Sequence, residues 1–149
     1  MEFYEVAIES PNKRGMFVTS EELFDLIIKH GKEKAVYKSV FLYHAEDKSE
    51  LIGKKSLYNV KRSATWIPVD IDKGKNSDEQ TIKNAMGAYM QLLQYGASEE
   101  NIVIWFSGTG YHLDIHSDCF GIEPNDEYAI MIKQTMMKIL PNIDPAVYT

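Results

Sequence analysis

The sequence has a single cysteine, no long apolar run and a shortage of positive charge. Cys119 alone cannot form an internal disulfide, and no N-terminal stretch has the apolar length of a signal peptide or a membrane helix. With 16 Lys and Arg against 22 Asp and Glu, the net charge is -6, which argues against broad, non-specific attraction to DNA. We therefore expect a protein of the reducing cytoplasm with no membrane association.

The 149 residues are enough to bury a substantial core. Hydrophobic residues make up 44% of the chain and charged residues 26%, which is typical of a folded globular protein. No repeat, low-complexity stretch or linker divides the sequence. We predict one domain over residues 1–149.

Apolar periodicity and helix-capping residues predict strands interspersed with helices. Thr19 with Glu22 forms a candidate capping box for the first helix, and Gly31 is its predicted stop. The run Ile102–Phe106 is apolar throughout, which predicts a central strand buried on both faces. Two hairpin-like pairings interrupt a strict alternation of strand and helix. We predict an α/β (α+β) fold with a mixed, largely antiparallel sheet and packed helices. The predicted strands lie at about residues 3–8, 36–43, 65–72, 102–106 and 111–116, and the predicted helices at about 20–30, 77–95 and 126–140.

An acidic pair closes the strand that ends near residue 72. In Val69-Asp70-Ile71-Asp72 apolar and acidic residues alternate, so both carboxylates project from one face of the strand while Val69 and Ile71 enter the core. Two acids that face one point repel each other unless a cation lies between them. Mg²⁺ or Mn²⁺ would suit carboxylate oxygens, so the pair is a candidate metal site. A solvated strand edge is the structural alternative.

Two further motifs follow along the chain. The turn Ser107-Gly108-Thr109-Gly110 comes directly after the apolar run and leads to His112, where polar and apolar residues begin to alternate. Asp144 lies near the end of the chain, before Pro145. Each motif has a structural alternative, because glycines serve ordinary hairpin loops and an aspartate before proline often begins a turn or a helix.

The order of these three motifs resembles the catalytic core of archaeo-eukaryotic primases. An aspartate pair closes one strand, a Ser-Gly-x-Gly-x-His turn closes another, and a lone aspartate follows in Asp144-Pro145-Ala146-Val147-Tyr148. Within that superfamily the sequence is most similar to the primase-polymerases of viruses, plasmids and mobile elements. The likeness covers about residues 66–149.

The resemblance implies a role for each motif residue. Asp70, Asp72 and Asp144 would be the catalytic ligands of Mg²⁺ or Mn²⁺, as expected for nucleotidyl transfer assisted by two cations. The triphosphate of the incoming nucleotide would be held by the turn and its histidine, since glycines let the backbone approach phosphate and an imidazole can donate a hydrogen bond to it. These nucleotide-binding residues are Ser107, Gly108, Gly110 and His112.

The implied function is template-directed nucleotidyl transfer by a DNA primase and polymerase in DNA replication. Its partners would be nucleoside triphosphates, a DNA template and primer, and a helicase or other replication proteins, in the host cytoplasm if the source is viral. Family members usually carry basic residues shortly after the third motif, whereas this sequence stops at Thr149. We therefore expect a core that is incomplete at its C-terminus and inefficient as an isolated polymerase.

Other functions are compatible with the same residues. Aspartates around a cation also serve metal-dependent nucleases and sugar-nucleotide glycosyltransferases. A third possibility is a non-catalytic replication or interaction module derived from a primase. Cys119 with His112 and His116 invites a zinc site. Zinc is disfavoured, because a closed structural site needs four ligands and the sequence spacing here offers one thiolate at most.

Overall fold

The computed structural model describes all residues from Met1 to Thr149, and the chain divides into two compact units. The first unit comprises residues 1–64 and 123–129, and the second comprises residues 65–122 and 130–149. The α+β class is confirmed, since three α-helices accompany strands in two antiparallel sheets. The single domain stays a prediction. None of the helices has the length and apolar content needed to cross a membrane.

The first unit contains a four-stranded antiparallel sheet with the order β2-β1-β3-β4. One helix, α1, packs on its strands. Aromatic and aliphatic side chains, among them Phe3, Phe17 and Tyr43, form its buried core. The elements are β1 (Glu2–Ile8), β2 (Met16–Val18), α1 (Ser20–His30), β3 (Val36–His44) and β4 (Arg62–Ser63).

Helix α1 begins as the sequence predicts. The Thr19 hydroxyl accepts a hydrogen bond from the backbone of Glu22, and the Glu22 carboxylate accepts one from the backbone of Thr19. This reciprocal capping box satisfies two amides that the first turn leaves without helical partners. The helix ends at His30, and Gly31, the predicted stop, is its C-cap.

The second unit contains a three-stranded antiparallel sheet with the order β5-β7-β6. Its strands are β5 (Trp66–Ile71), β6 (Ile102–Phe106) and β7 (Tyr111–His116), and its long helix is α2 (Asp78–Gln94). Helix α2 packs on β5 and β7. A third helix, α3 (Tyr128–Ile139), follows, and a short 3₁₀ helix (Pro145–Tyr148) ends the chain. The face of the sheet next to α2 carries the fully buried side chains Ile67, Val69, Leu113 and Ile115.

The position of β6 corrects one prediction. Ile102–Phe106 is an edge strand and not a central one, and four of its five side chains are exposed. Phe106 has 60% of its surface accessible and Val103 46%. An apolar run indicates a strand buried on both faces only when neighbours cover both faces, and α2 packs on the other two strands of this sheet.

A buried tyrosine attaches the end of the chain to β5. The Tyr148 hydroxyl donates a hydrogen bond of 2.6 Å to the carbonyl oxygen of Pro68, which lies 80 residues earlier. Tyr148 is 1% exposed, and its burial raises the pKa of the phenol above its ordinary value. The hydroxyl therefore keeps its proton and remains a donor across the ordinary pH range. This bond holds the segment that contains Asp144 against the strand that contains Asp70.

We predict that Tyr148→Phe destabilises the protein by about 1 kcal/mol, because the part-buried hydrogen bond to the carbonyl of Pro68 is lost. Urea unfolding measures the change. Tyr95→Phe is the matched control, since Tyr95 is 52% exposed and should leave the unfolding midpoint unchanged. Equal midpoints for Tyr148→Phe and the parent protein would contradict the anchoring role of this hydroxyl.

Candidate active site

The three aspartates singled out in the sequence line one cavity. Its volume is about 820 Å³, and Asp70, Asp72 and Asp144 all contribute to its wall. All three residues are exposed to solvent. Asp70 is the second-last residue of β5, and Asp72 is the first residue after this strand. Residues from two distant parts of the chain therefore line one solvent-filled space.

Helix α2 supplies polar side chains to the same cavity. Lys83, Asn84 and Gln91 lie on its wall together with the three acids. The side chain of Ser77 caps the start of this helix by accepting from the backbone of Gln80. An ammonium and two amides beside three carboxylates provide hydrogen-bond donors for a polar, anionic ligand.

His112 lies next to Asp70 on the neighbouring strand. The two residues are register partners in the pairing of β5 with β7, and Nδ1 of the imidazole is 3.1 Å from Oδ1 of the carboxylate. An imidazole whose Nδ1 donates to Asp70 can also donate from Nε2 only when it carries both protons. In that form it would present a positive charge to a phosphate beside the carboxylates.

Asp144 has a structural role as well as a place in the cavity. It precedes the last 3₁₀ helix, and its Oδ1 accepts a hydrogen bond of 2.9 Å from the backbone of Ala146. The sequence left open a turn or helix-start function for this aspartate, and the structure contains that function. A carboxylate has two oxygens and about four acceptor positions, so capping and ligand binding are compatible.

The glycine-containing turn joins β6 to β7 as a hairpin loop. The backbone of Ser107 donates to the carbonyl of Gly110, and the Ser107 hydroxyl accepts from the backbone of Gly110. Gly108 has a φ of 104° with open space around it, a conformation that other residues rarely adopt. Ser107 and Gly110 thus stabilise the turn through these two hydrogen bonds.

A second, smaller cavity lies at this turn. Its volume is about 470 Å³, and Gly108, Thr109 and Lys73 are among its lining residues. Lys73 directly follows Asp72, so adjacent residues of one segment line the two cavities. The ammonium of Lys73 is 2.6 Å from the carboxylate of Asp78 at the start of α2. A flexible lysine beside a glycine turn is suited to contact an anionic group.

The carboxylates fit a hard divalent cation by their chemistry. Mg²⁺ is usually held by one or two carboxylates together with the phosphates of its substrate, and it retains several waters. No group of three His, Cys, Asp or Glu side chains is close enough together to hold a metal ion by itself. A bound cation would therefore use Asp70, Asp72 and Asp144 only in part, with the remaining ligands supplied by phosphate and water.

Trp105 makes two contacts at this site that the sequence did not indicate. Trp105, assigned to a buried strand, is 49% exposed, and its ring stacks on the imidazole of His112 with centroids 4.5 Å apart. Its indole nitrogen donates to Asp114 over 3.0 Å. The alternation on β7 was visible in the sequence, but the pairing that brings Trp105 beside His112 was not.

We compared the chain with protein-family models, with curated proteins and with solved structures, and none of them matches.

We predict that Gly110→Ala destabilises the protein by about 1–3 kcal/mol, as overpacking does. A Cβ at this position would lie 2.2 Å from the carbonyl oxygen of Ile71, so the turn and the end of β5 would have to separate. Gly87→Ala in α2 is the control, because no atom lies within 4 Å of its Cβ and alanine favours a helix by about 1 kcal/mol. In urea unfolding we expect Gly87→Ala to be the most stable of the three proteins, the parent protein to be intermediate and Gly110→Ala to be the least stable. A Gly110→Ala variant more stable than the parent protein would contradict this close approach.

Proposed function

We propose that this chain carries the catalytic site of a DNA primase-polymerase, which transfers nucleotides with Mg²⁺ or Mn²⁺ bound at Asp70, Asp72 and Asp144. The observation that carries the proposal is the cavity that these three acids share. Their motifs are far apart in the sequence, and their place on the wall of one cavity supports a shared role in metal-assisted transfer. The likeness of the three motifs to the primase superfamily supports the choice of reaction.

His112, Gly108 and Lys73 each have a task in the proposed reaction. When bound, the cations would stabilise the attacking and leaving oxygens of the transfer. His112 would donate to a phosphate from Nε2 while Nδ1 remains on Asp70, and Gly108 with Lys73 would contact the triphosphate at the smaller cavity. Positioning and charge stabilisation account for most of the catalysis in phosphoryl transfer, so these contacts are the contribution of the protein.

The double variant Asp70→Asn/Asp72→Asn tests this site. Nucleotide incorporation on a primed template should fall to background, and Mn²⁺-dependent binding of a nucleoside triphosphate should weaken at least about 10–100-fold, the loss typical even of outer-shell changes at metal sites. Isothermal titration with and without Mn²⁺ measures the binding separately from turnover. The removal of two like charges should leave the fold intact.

The control is the charge-matched double variant Asp25→Asn/Asp126→Asn, in which both replaced residues are exposed and belong to the first unit. It should bind and incorporate nucleotides as the parent protein does. Unchanged metal-linked binding in Asp70→Asn/Asp72→Asn would refute the proposed site. If the parent protein shows no metal-linked binding of triphosphates, a non-catalytic replication module is the better description.

A further inference from the structure

The open face of the second sheet carries two pairs of a tryptophan and a histidine. Trp105 is the register partner of His112, and Trp66 is the register partner of His116. Asp114 lies between the two histidines on β7. We call these five residues the aromatic face. It is the side of the sheet from which Asp70 projects, opposite the buried aliphatic side chains.

Trp105 is held in one orientation although half of it is exposed. Its ring is stacked on His112 with an angle of 27° between the planes, and its indole nitrogen is bound to Asp114. An exposed ring that is fixed by a hydrogen bond loses little conformational entropy when a ligand stacks on it. A fixed, half-exposed indole offers a flat apolar surface on which another ring can stack.

Trp66 is a second ring of the same kind at the other end of the sheet. It is 40% exposed and contacts His116 edge to face, with centroids 5.0 Å apart. His112 and His116 are four positions apart on β7, which places their backbones about 13 Å from each other. One free nucleotide is too short to stack on both rings, whereas a strand of several nucleotides is long enough.

The charges on this face favour bases over phosphates. Strands β5, β6 and β7 contain no lysine or arginine, and the face itself carries the carboxylate of Asp114 next to that of Asp70. Phosphates bind where cationic side chains neutralise them, so on this face a phosphate could be contacted only through His112 or His116, and the other phosphates of a strand would face solvent. Bases stack on aromatic rings without regard to sequence.

We propose that the aromatic face stacks the bases of a single nucleic-acid strand, with one base on Trp105 beside the carboxylates and another on Trp66. This inference rests on the proposed function, because it names the strand partner of the same site. The strand would lie with its bases on the sheet and its phosphates toward solvent. Trp105 and Trp66 then position a template or primer terminus near Asp70.

The chain contains two tryptophans, so fluorescence can report on each ring separately. Trp66→Phe leaves Trp105 as the reporter, and Trp105→Phe leaves Trp66. Each protein is titrated with short oligothymidylate, with an abasic strand of equal length, and with thymidine triphosphate and Mg²⁺. We expect oligothymidylate to quench both reporters and the abasic strand to quench neither.

Replacing Trp105 tests the energetic contribution. Trp105→Ala should weaken the binding of oligothymidylate by about ten-fold or more, the loss typical of one stacked base, while Trp105→Phe should lose less. Ile104→Ala is the matched control, since Ile104 is the preceding residue of β6, is 39% exposed and faces the other side of the sheet. It should bind the strand as the parent protein does.

Three results would overturn the inference. They are equal quenching by the abasic strand, parental affinity in Trp105→Ala, and quenching of Trp105 by the triphosphate alone with no response of Trp66 to the strand. The last result would assign the ring to the base of the incoming nucleotide. Strand binding that persists in Asp70→Asn/Asp72→Asn, whose incorporation is lost, separates this inference from the proposed catalysis.

Discussion

The hydrogen bond from Tyr148 to the carbonyl of Pro68 is the constraint on which the candidate site depends. It joins residues 80 positions apart and fixes the last segment of the chain beside β5. Asp144 comes four residues before this tyrosine and caps the intervening 3₁₀ helix. The buried ring and the cap together determine that a third carboxylate lies on the cavity of Asp70 and Asp72. Without them the site would be a two-acid strand edge.

Strand β5 positions both sides of the proposed chemistry. Its alternation sends Ile67 and Val69 into the core and leaves Asp70 on the opposite face, where register brings it against His112. The same pairing continues through His112 to Trp105 on the edge strand. An acid, an imidazole and an indole thus form one row across the sheet. The proposed cation binding, phosphate contact and base stacking would use adjacent side chains of one sheet.

Local patterns in the sequence were sufficient for the parts of the fold that local physics determines. The capping box at Thr19 marked the start of α1, and the alternation after Tyr111 identified β7 and its polar face. The pattern could not show that β6 is an edge strand, because an apolar run has the same composition wherever its neighbours lie. The Tyr148 anchor and the contact of Asp70 with His112 also depend on long-range pairing. The order of the motifs predicted the three acids of the candidate site. Their contacts, such as that of Asp70 with His112, are visible only in the three-dimensional structure.

Anomalous diffraction from crystals of the protein grown with Mn²⁺ and a non-hydrolysable nucleoside triphosphate would show whether Asp70, Asp72 and Asp144 bind the metal ions. We expect manganese peaks within coordination distance of carboxylate oxygens of Asp70 and Asp72, with Asp144 at the same metal cluster and the triphosphate extending toward Gly108. Manganese bound elsewhere on the chain, with these three carboxylates contacting only water or protein, would contradict it.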